Sequence, residues 1–391
     1  MGLLGLVVSL VFILVASRKS LPLALILGAI ILGVFSLPLS SIFEKIYLTI
    51  TDLSIIFLAL AMGVIPLIGG TMKHSGQMDD LVNNLRIGRK GLLALSPAIM
   101  GLLPMPGGAL LSAPILEKGG GDVPADLKVA INDWFRHLFV MIYPLSSALI
   151  ASAKISGMSV YSAMLYLFPT FFFALFLGLV CFIRRVEGDI VYSDRFQLKK
   201  LLIPLAIILV APVLDFLIKS LHILRIKEIA TLFGVSIALL CSISLSPKRL
   251  DFKEIFREMK PLNFFFIIIG MFLFLNIFKS TNAVSLIAAI PLPITTLCVV
   301  VGFLLGFATG RVLLPASIIL PVYLTQTPIT PLVFAVIYTA IFFGYVISPV
   351  HPCVGVSLIY FKVSLKNFFR VLAVPTFIIF AVTFIISLFL T

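Results

Sequence analysis

Arg311 carries the sharpest chemical signal in the sequence. It is the only formal charge between Lys279 and Lys362, and it sits in the middle of an apolar stretch, "GFATGRVLLPAS". A guanidinium in hydrocarbon is costly unless it is paired or faces a ligand, and its planar fork matches a carboxylate or phosphate. Thr309, Gly310 and Ser317 flank it and supply further polar lining. A second stretch of the same kind, "GLLPMPGGALLSAP", holds Pro106, Gly107, Gly108 and Ser112. Its prolines remove backbone donors and its glycines permit a turn. A helix restarting near Ala109 then presents free N–H groups and a partial positive charge, which suit an anion. Two further breaks carry hydroxyls and an imidazole: "MIYPLSSALIASA" places Ser146 and Ser147 beside Pro144, and "ISPVHPCVG" places Ser348 and His351 among Pro349 and Pro352. Proline frees upstream carbonyls that coordinate cations, and hydroxyls donate or accept. Imidazole ordinarily titrates near neutral pH, which fits His351 to carry a coupling proton. Together these residues suggest binding of a small anion beside a coupling H+ or Na+, with no cofactor and no metal site. Plainer roles stand against this: a bend made for packing, an arginine that snorkels, a neutral core histidine.

The elements that must hold these residues are membrane helices. The chain has 391 residues, 61% of them hydrophobic and 12% charged, and a mean hydropathy of +1.22, far beyond what filling a soluble core requires. Apolar runs long enough to cross about 30 Å of hydrocarbon, which takes about 20 helical residues, recur from end to end. The first, "MGLLGLVVSLVFILVAS", lacks a basic leader and is followed by Arg18 and Lys19, so it reads as a span rather than a signal peptide. Cys181, Cys241, Cys298 and Cys353 lie in apolar runs with no metal-ligand spacing, as packing or lipid-facing residues. The net charge of +13 sits in short loops and at span ends, where it sets topology; it does not mark a nucleic-acid surface.

Hydropathy and charge predict ten spans, near 1–17, 20–38, 52–70, 132–153, 159–183, 200–218, 228–246, 261–279, 330–350 and 371–390. Two apolar segments remain, 92–116 and 292–324, each interrupted at its centre by "PMPGG" or "ATGR". Each is expected to be a re-entrant broken hairpin, with arms of about a dozen residues, or roughly 18 Å, too short to cross alone. Irregular backbone at that depth survives only when buried in protein or lining a cavity. With both termini outside, most of the 29 Lys and Arg fall on the inner side, Lys128 and Arg136 among them. A shift of about 205 residues aligns Gly101 with Gly306 and Pro144 with Pro349, and the order of elements repeats. The expected fold is therefore an all-α polytopic membrane protein of two inverted 5+5 repeats, residues 1–190 and 191–391, each with one hairpin. Inverted repeats with broken helices are the architecture of secondary transporters, with the site near the midplane.

The opposed hairpins, the broken spans "YPLSSA" and "SPVHPCVG" and the 5+5 order resemble the ion transporter superfamily, over the whole chain. Its members include sodium-coupled dicarboxylate and citrate carriers and gluconate permeases; this sequence looks most like a prokaryotic branch apart from those carriers. The Ser-Asn-Thr triplets at the hairpin tips of the sodium-coupled carboxylate carriers are absent from both tips here. The resemblance implies an elevator-type carrier in the cell (inner) membrane, commonly a homodimer, with the hairpins and following spans in the moving part.

On these grounds the chain is expected to transport a small organic anion and not to be an enzyme. A cation/proton antiporter would need a buried carboxylate, and the apolar runs offer only Asp52 and Asp215, near span ends. A channel remains an alternative. An intramembrane enzyme would need paired catalytic groups at one depth, where only Arg311 and His351 are expected. Asn132, Asp133, Arg136 and His137, beside Trp134, are expected to form a solvated helix start, with a proton relay as the lesser reading. The G-x-G-D string of "EKGGGDVP" lies in a charged loop and reads as a flexible return; "LDFKEIFREMK", 250–260, reads as an interfacial amphipathic helix.

Overall fold

The structure is a computed structural model that describes residues 2–103, 108–190, 192 and 195–390. The regular secondary structure of the described residues is all helical, without a strand. In the first half, α1 (Gly2–Ala16), α2 (Leu21–Ser36), α3 (Leu39–Thr51), α4 (Leu53–Ser75) and α5 (Gln77–Asn83) are followed by α6 (Gly88–Leu102) and α7 (Ala109–Gly120). Next come α8 (Ala125–Ile142), α9 (Ser147–Ile155) and α10 (Val160–Cys181). The second half begins with α11 (Leu198–Ser220), α12 (Glu228–Ser244), α13 (Phe252–Met259), α14 (Pro261–Lys279) and α15 (Ala283–Ala288). It continues with α16 (Ile294–Thr309), α17 (Leu313–Leu324), α18 (Pro331–Val346), α19 (Pro352–Phe361) and α20 (Leu365–Phe389).

Among the described residues five helical stretches are long and apolar enough to cross a membrane, and a sixth is added if α8 and α9, bent by 42° at their junction, count as one span. The protein is a polytopic helical membrane protein. Polar residues punctuate the helices where expected. Asp52 accepts from the Ser54 and Ile55 amides at 2.8 and 3.2 Å, so it caps α4. Ser159 and Ser364 cap α10 and α20 in the same way. The stretch at 250–260 forms α13, capped by Asp251 and packed through Ile255 and Met259 against Gly70 of α4.

The helices pack in two groups. In one, α1 lies on α2, α11 on α12, α2 and α4 on α14, and α4 on α12. In the other, α6 packs on α7 and α8, α16 on α17 and α18, and α10 and α20 lie beside both α8 and α18. Within it the halves cross over, α7 packing on α19 and α17 on α9. Close approach of backbones fixes this second group. A Cβ on Gly101 would stand 2.2 Å from the carbonyl oxygen of Arg136, and one on Gly306 would stand 2.3 Å from that of Ile341. Only hydrogen fits at either place. Helix α8 lies at the centre, buried at every position from Leu127 to Leu138; α17 and most of α18 are enclosed likewise.

Candidate functional site

Where the two groups meet, a cavity of about 290 Å³ opens between a smooth wall and a polar one. Leu21 and Leu25 of α2, Met62 of α4, and Phe264, Ile267 and Ile268 of α14 form the smooth wall. The second group supplies every polar side chain: Arg136 and His137 from α8, Tyr143, Ser146 and Ser147 at its break, Arg311 between α16 and α17, Tyr345 from α18, and His351 with Cys353 at the start of α19.

Local sequence explains each placement. Helix α16 ends at Gly310, whose φ of +58° an L side chain rarely adopts; there a Cβ would lie 2.9 Å from the His351 amide nitrogen. The turn therefore lays the next residue, Arg311, against the α18–α19 break. That break is held by Ser348, whose hydroxyl donates to the Phe307 carbonyl at 2.5 Å. At the α8–α9 break the Tyr143 hydroxyl donates to the Ile208 carbonyl at 3.2 Å. Arg136 extends from α8 onto Gly108, at the start of α7, where a Cβ would stand 2.1 Å from its Nη2.

Behind the cavity wall lies a cluster of ionisable groups. The His137 and His351 rings are 4.6 Å apart between centroids, and Tyr345 lies 4.2 Å from His351. His137 Nδ1 donates to the Asp133 carbonyl at 2.6 Å. Asp133 Oδ1 stands 3.4 Å from His137 Nδ1 and 3.9 Å from His351 Nδ1. Both carboxylate oxygens of Asp133, His351 Nδ1 and Arg136 Nη1 are buried without a hydrogen-bond partner. Ligand atoms of His137, His351 and Cys353 lie within 4.8 Å of one another. Arg136 and Arg311 act on the same groups, so the set does not suit a resident divalent cation, and we assign it no metal.

The structure brings Ser146, Ser147, Gly310, Arg311 and His351 to this cavity. Gly108 lies against Arg136 instead, and Ser348 is spent on Phe307. Ser112 donates to Asn132 Oδ1 at 2.6 Å, while Thr309 and Ser317 return to the Leu305 and Leu314 carbonyls, each at 2.7 Å; none of the three lines the cavity. Pro106 and Gly107 lie outside the described residues.

Three expectations are corrected. Asn132, Asp133, Arg136 and His137 do not form a solvated helix start; all are buried in α8. Trp134 does not mark a membrane interface: it is buried, and its Nε1 donates to the Ala174 carbonyl at 3.0 Å. Arg311 and His351 are therefore not alone, and Lys128, which donates to the Gly121 carbonyl at 3.0 Å, is no loop residue either. A signal was present. Asn132 with Arg136, and Asp133 with His137, recur at helical i,i+4 spacing among Val129, Ala130, Ile131, Phe135 and Leu138, which leaves no face free for water.

Fold and site thus define a polytopic helical membrane protein with a two-walled internal cavity. The chain matches, over residues 2–390, the family described as "Protein of unknown function (DUF401)", and it belongs to that family. No curated protein matches it in sequence.

Proposed function

We propose that the protein is a secondary active transporter of a small organic anion, with a carboxylate the preferred head group, coupled to protons or sodium. One observation carries this reading: two guanidiniums, Arg136 and Arg311, line a single cavity whose opposite wall is apolar. A paired fork of this kind matches a carboxylate, and the apolar wall offers the rest of the ligand a surface but no hydrogen bond. The smooth wall belongs to one helix group and the polar wall to the other, an arrangement that lets the second group carry an anion past the first.

The wider architecture proposed with it is ten spans in two inverted repeats, with α6–α7 and α16–α17 as re-entrant hairpins. Supporting this, Gly101 and Gly306 meet carbonyls that lie 35 residues further on in both cases, and Ser159 and Ser364 cap α10 and α20. Reciprocal packing of α7 on α19 and α17 on α9 fits the same reading. Elevator-type movement, kinship with the ion transporter superfamily, a homodimer and both termini outside the cell membrane are part of this proposal. A cation/proton exchanger is the second reading, because Asp133 supplies the buried carboxylate it would need. Two neighbouring arginines favour the anion.

The test is the melting temperature of the purified protein with benzoate, isovalerate, lactate, succinate, citrate, gluconate and phosphate, each in sodium or potassium. A ligand at 100 times its Kd stabilises by about 2.7 kcal/mol. Monocarboxylates should raise the melting temperature, and Arg311→Ala should lose that rise. Shifts with cations alone would support the exchanger.

A further inference from the structure

We propose that Asp133, together with the imidazole of His351, is the site of the coupling proton, and that proton and anion bind cooperatively. The inference rests on the anion reading above and names its coupling ion.

Among the described residues two aspartates are buried, and their surroundings differ. Asp215 accepts from Tyr161 Oη at 2.5 Å, Thr231 Oγ1 at 2.6 Å and Lys219 Nζ at 3.0 Å, so its charge is met in full. Asp133 accepts nothing at either oxygen, although its side chain is wholly hidden. A buried carboxylate without donors is costly, whereas a carboxyl with an acceptor nearby is not. The acceptor is present: His351 Nδ1, itself unpartnered, stands 3.9 Å from Asp133 Oδ1. His137 Nδ1 stands 3.4 Å from the same oxygen but is no acceptor for it, because its N–H is donated to the Asp133 carbonyl.

The charged and titratable groups that face Asp133 are few. Helix α8 itself supplies Arg136 and His137, α18 supplies Tyr345, the α18–α19 break supplies His351 and α19 supplies Cys353; Arg311, after α16, acts on Tyr345, His351 and Cys353. Helix α10 carries no charged residue, and the charges of α6, α7 and α20 (Arg89, Lys90, Glu117, Lys118, Lys366, Arg370) sit toward helix ends.

Coupling follows from repulsion. An anion on Arg136 and Arg311 is opposed by a charged Asp133, and protonation of Asp133 removes that opposition. Conversely, a proton arriving without the anion leaves two guanidiniums uncompensated. Each therefore raises the affinity for the other, by the same factor. One proton with one monoanion carries no net charge across the membrane.

Benzoate is the probe, a monoanion with an apolar body, titrated calorimetrically into full-length protein in detergent between about pH 5 and about pH 8. The wild type should bind about tenfold more tightly for each pH unit lowered, the signature of one linked proton. Asp133→Asn, a mimic of the protonated state, should hold the high affinity at every pH, a gain that misfolding cannot produce; Asp133→Glu should restore a slope. Binding that ignores pH in the wild type overturns proton coupling and leaves the anion site standing. A slope that survives in Asp133→Asn overturns the assignment to Asp133. If benzoate binds neither the wild type nor Asp133→Asn at any pH, the anion reading itself falls, and this inference with it.

Discussion

Two glycines decide where the arginines point, for different reasons. At Gly108 the atom in the way of a Cβ is the far end of the Arg136 side chain, which can swing aside. Gly108→Ala is therefore expected to leave the melting temperature nearly unchanged and to weaken anion binding about tenfold, through a displaced guanidinium. At Gly310 the obstacle is backbone, and the φ of +58° is itself unfavourable for any L side chain. Gly310→Ala should cost about 1–2 kcal/mol or more in stability. Melting curves and benzoate titrations of the two variants, run side by side, separate these outcomes; equal stability loss in both would refute the distinction. Asp122 offers a residue-scale test outside the membrane. Arg89 hydrogen-bonds this exposed carboxylate and holds its pKa below the ordinary 3.8. Its contribution is thus present at neutral pH and lost only as pH falls through that lowered value. The melting temperatures of wild type and Asp122→Asn should differ at neutral pH and converge in strong acid.

At the scale of elements, the first hairpin is closed at its base by one side chain. From the start of α6, Arg89 donates to the carbonyls of Gly119 and Gly120 at the end of α7, at 3.0 and 2.7 Å, and it also reaches the carbonyl of Glu187. Arg89→Ala should destabilise by about 1–3 kcal/mol, read by chemical denaturation or melting. Gly101→Ala and Gly306→Ala should each cost a similar amount, because backbone must move. Gly355→Ala in α19, where a Cβ meets nothing within 4 Å, should be neutral or stabilise by up to about 1 kcal/mol. The helix breaks are legible because proline and glycine act locally: "ATGR" ends α16 at Gly310, and "YPLSS" separates α8 from α9. Helix α8 was misjudged for the opposite reason. Whether Arg136 meets water or protein depends on helices far away in sequence, and hydropathy counts a buried charge like a solvated one. For Ser112, Thr309 and Ser317 the sequence does not reveal that each hydroxyl proton goes to a nearby protein acceptor, the Asn132 amide oxygen or a carbonyl of the same helix.

For the whole molecule, the proposed ten crossings with outward termini predict a labelling pattern in intact cells. In a cysteine-free background, cysteines placed at either end should react with an impermeant maleimide, and Asp189→Cys, between the halves, should be protected. Labelling at one terminus only would mean an odd number of crossings and would overturn the count. Orientation aside, the halves depend on each other through single contacts. Asn132 holds Ser112 in the first hairpin and donates to Ser357 of α19 at 3.0 Å, across 225 residues of chain. The cluster around Asp133 is likewise completed only by Tyr345, His351 and Cys353, all synthesised well after α8. Biogenesis therefore has a waiting period: α8 must be sheltered by the insertion machinery, its polar residues uncovered, until α18 and α19 emerge. A chain stopped short of them would leave an arginine, an aspartate and a histidine facing lipid, and membrane quality control would meet it as an unfinished product.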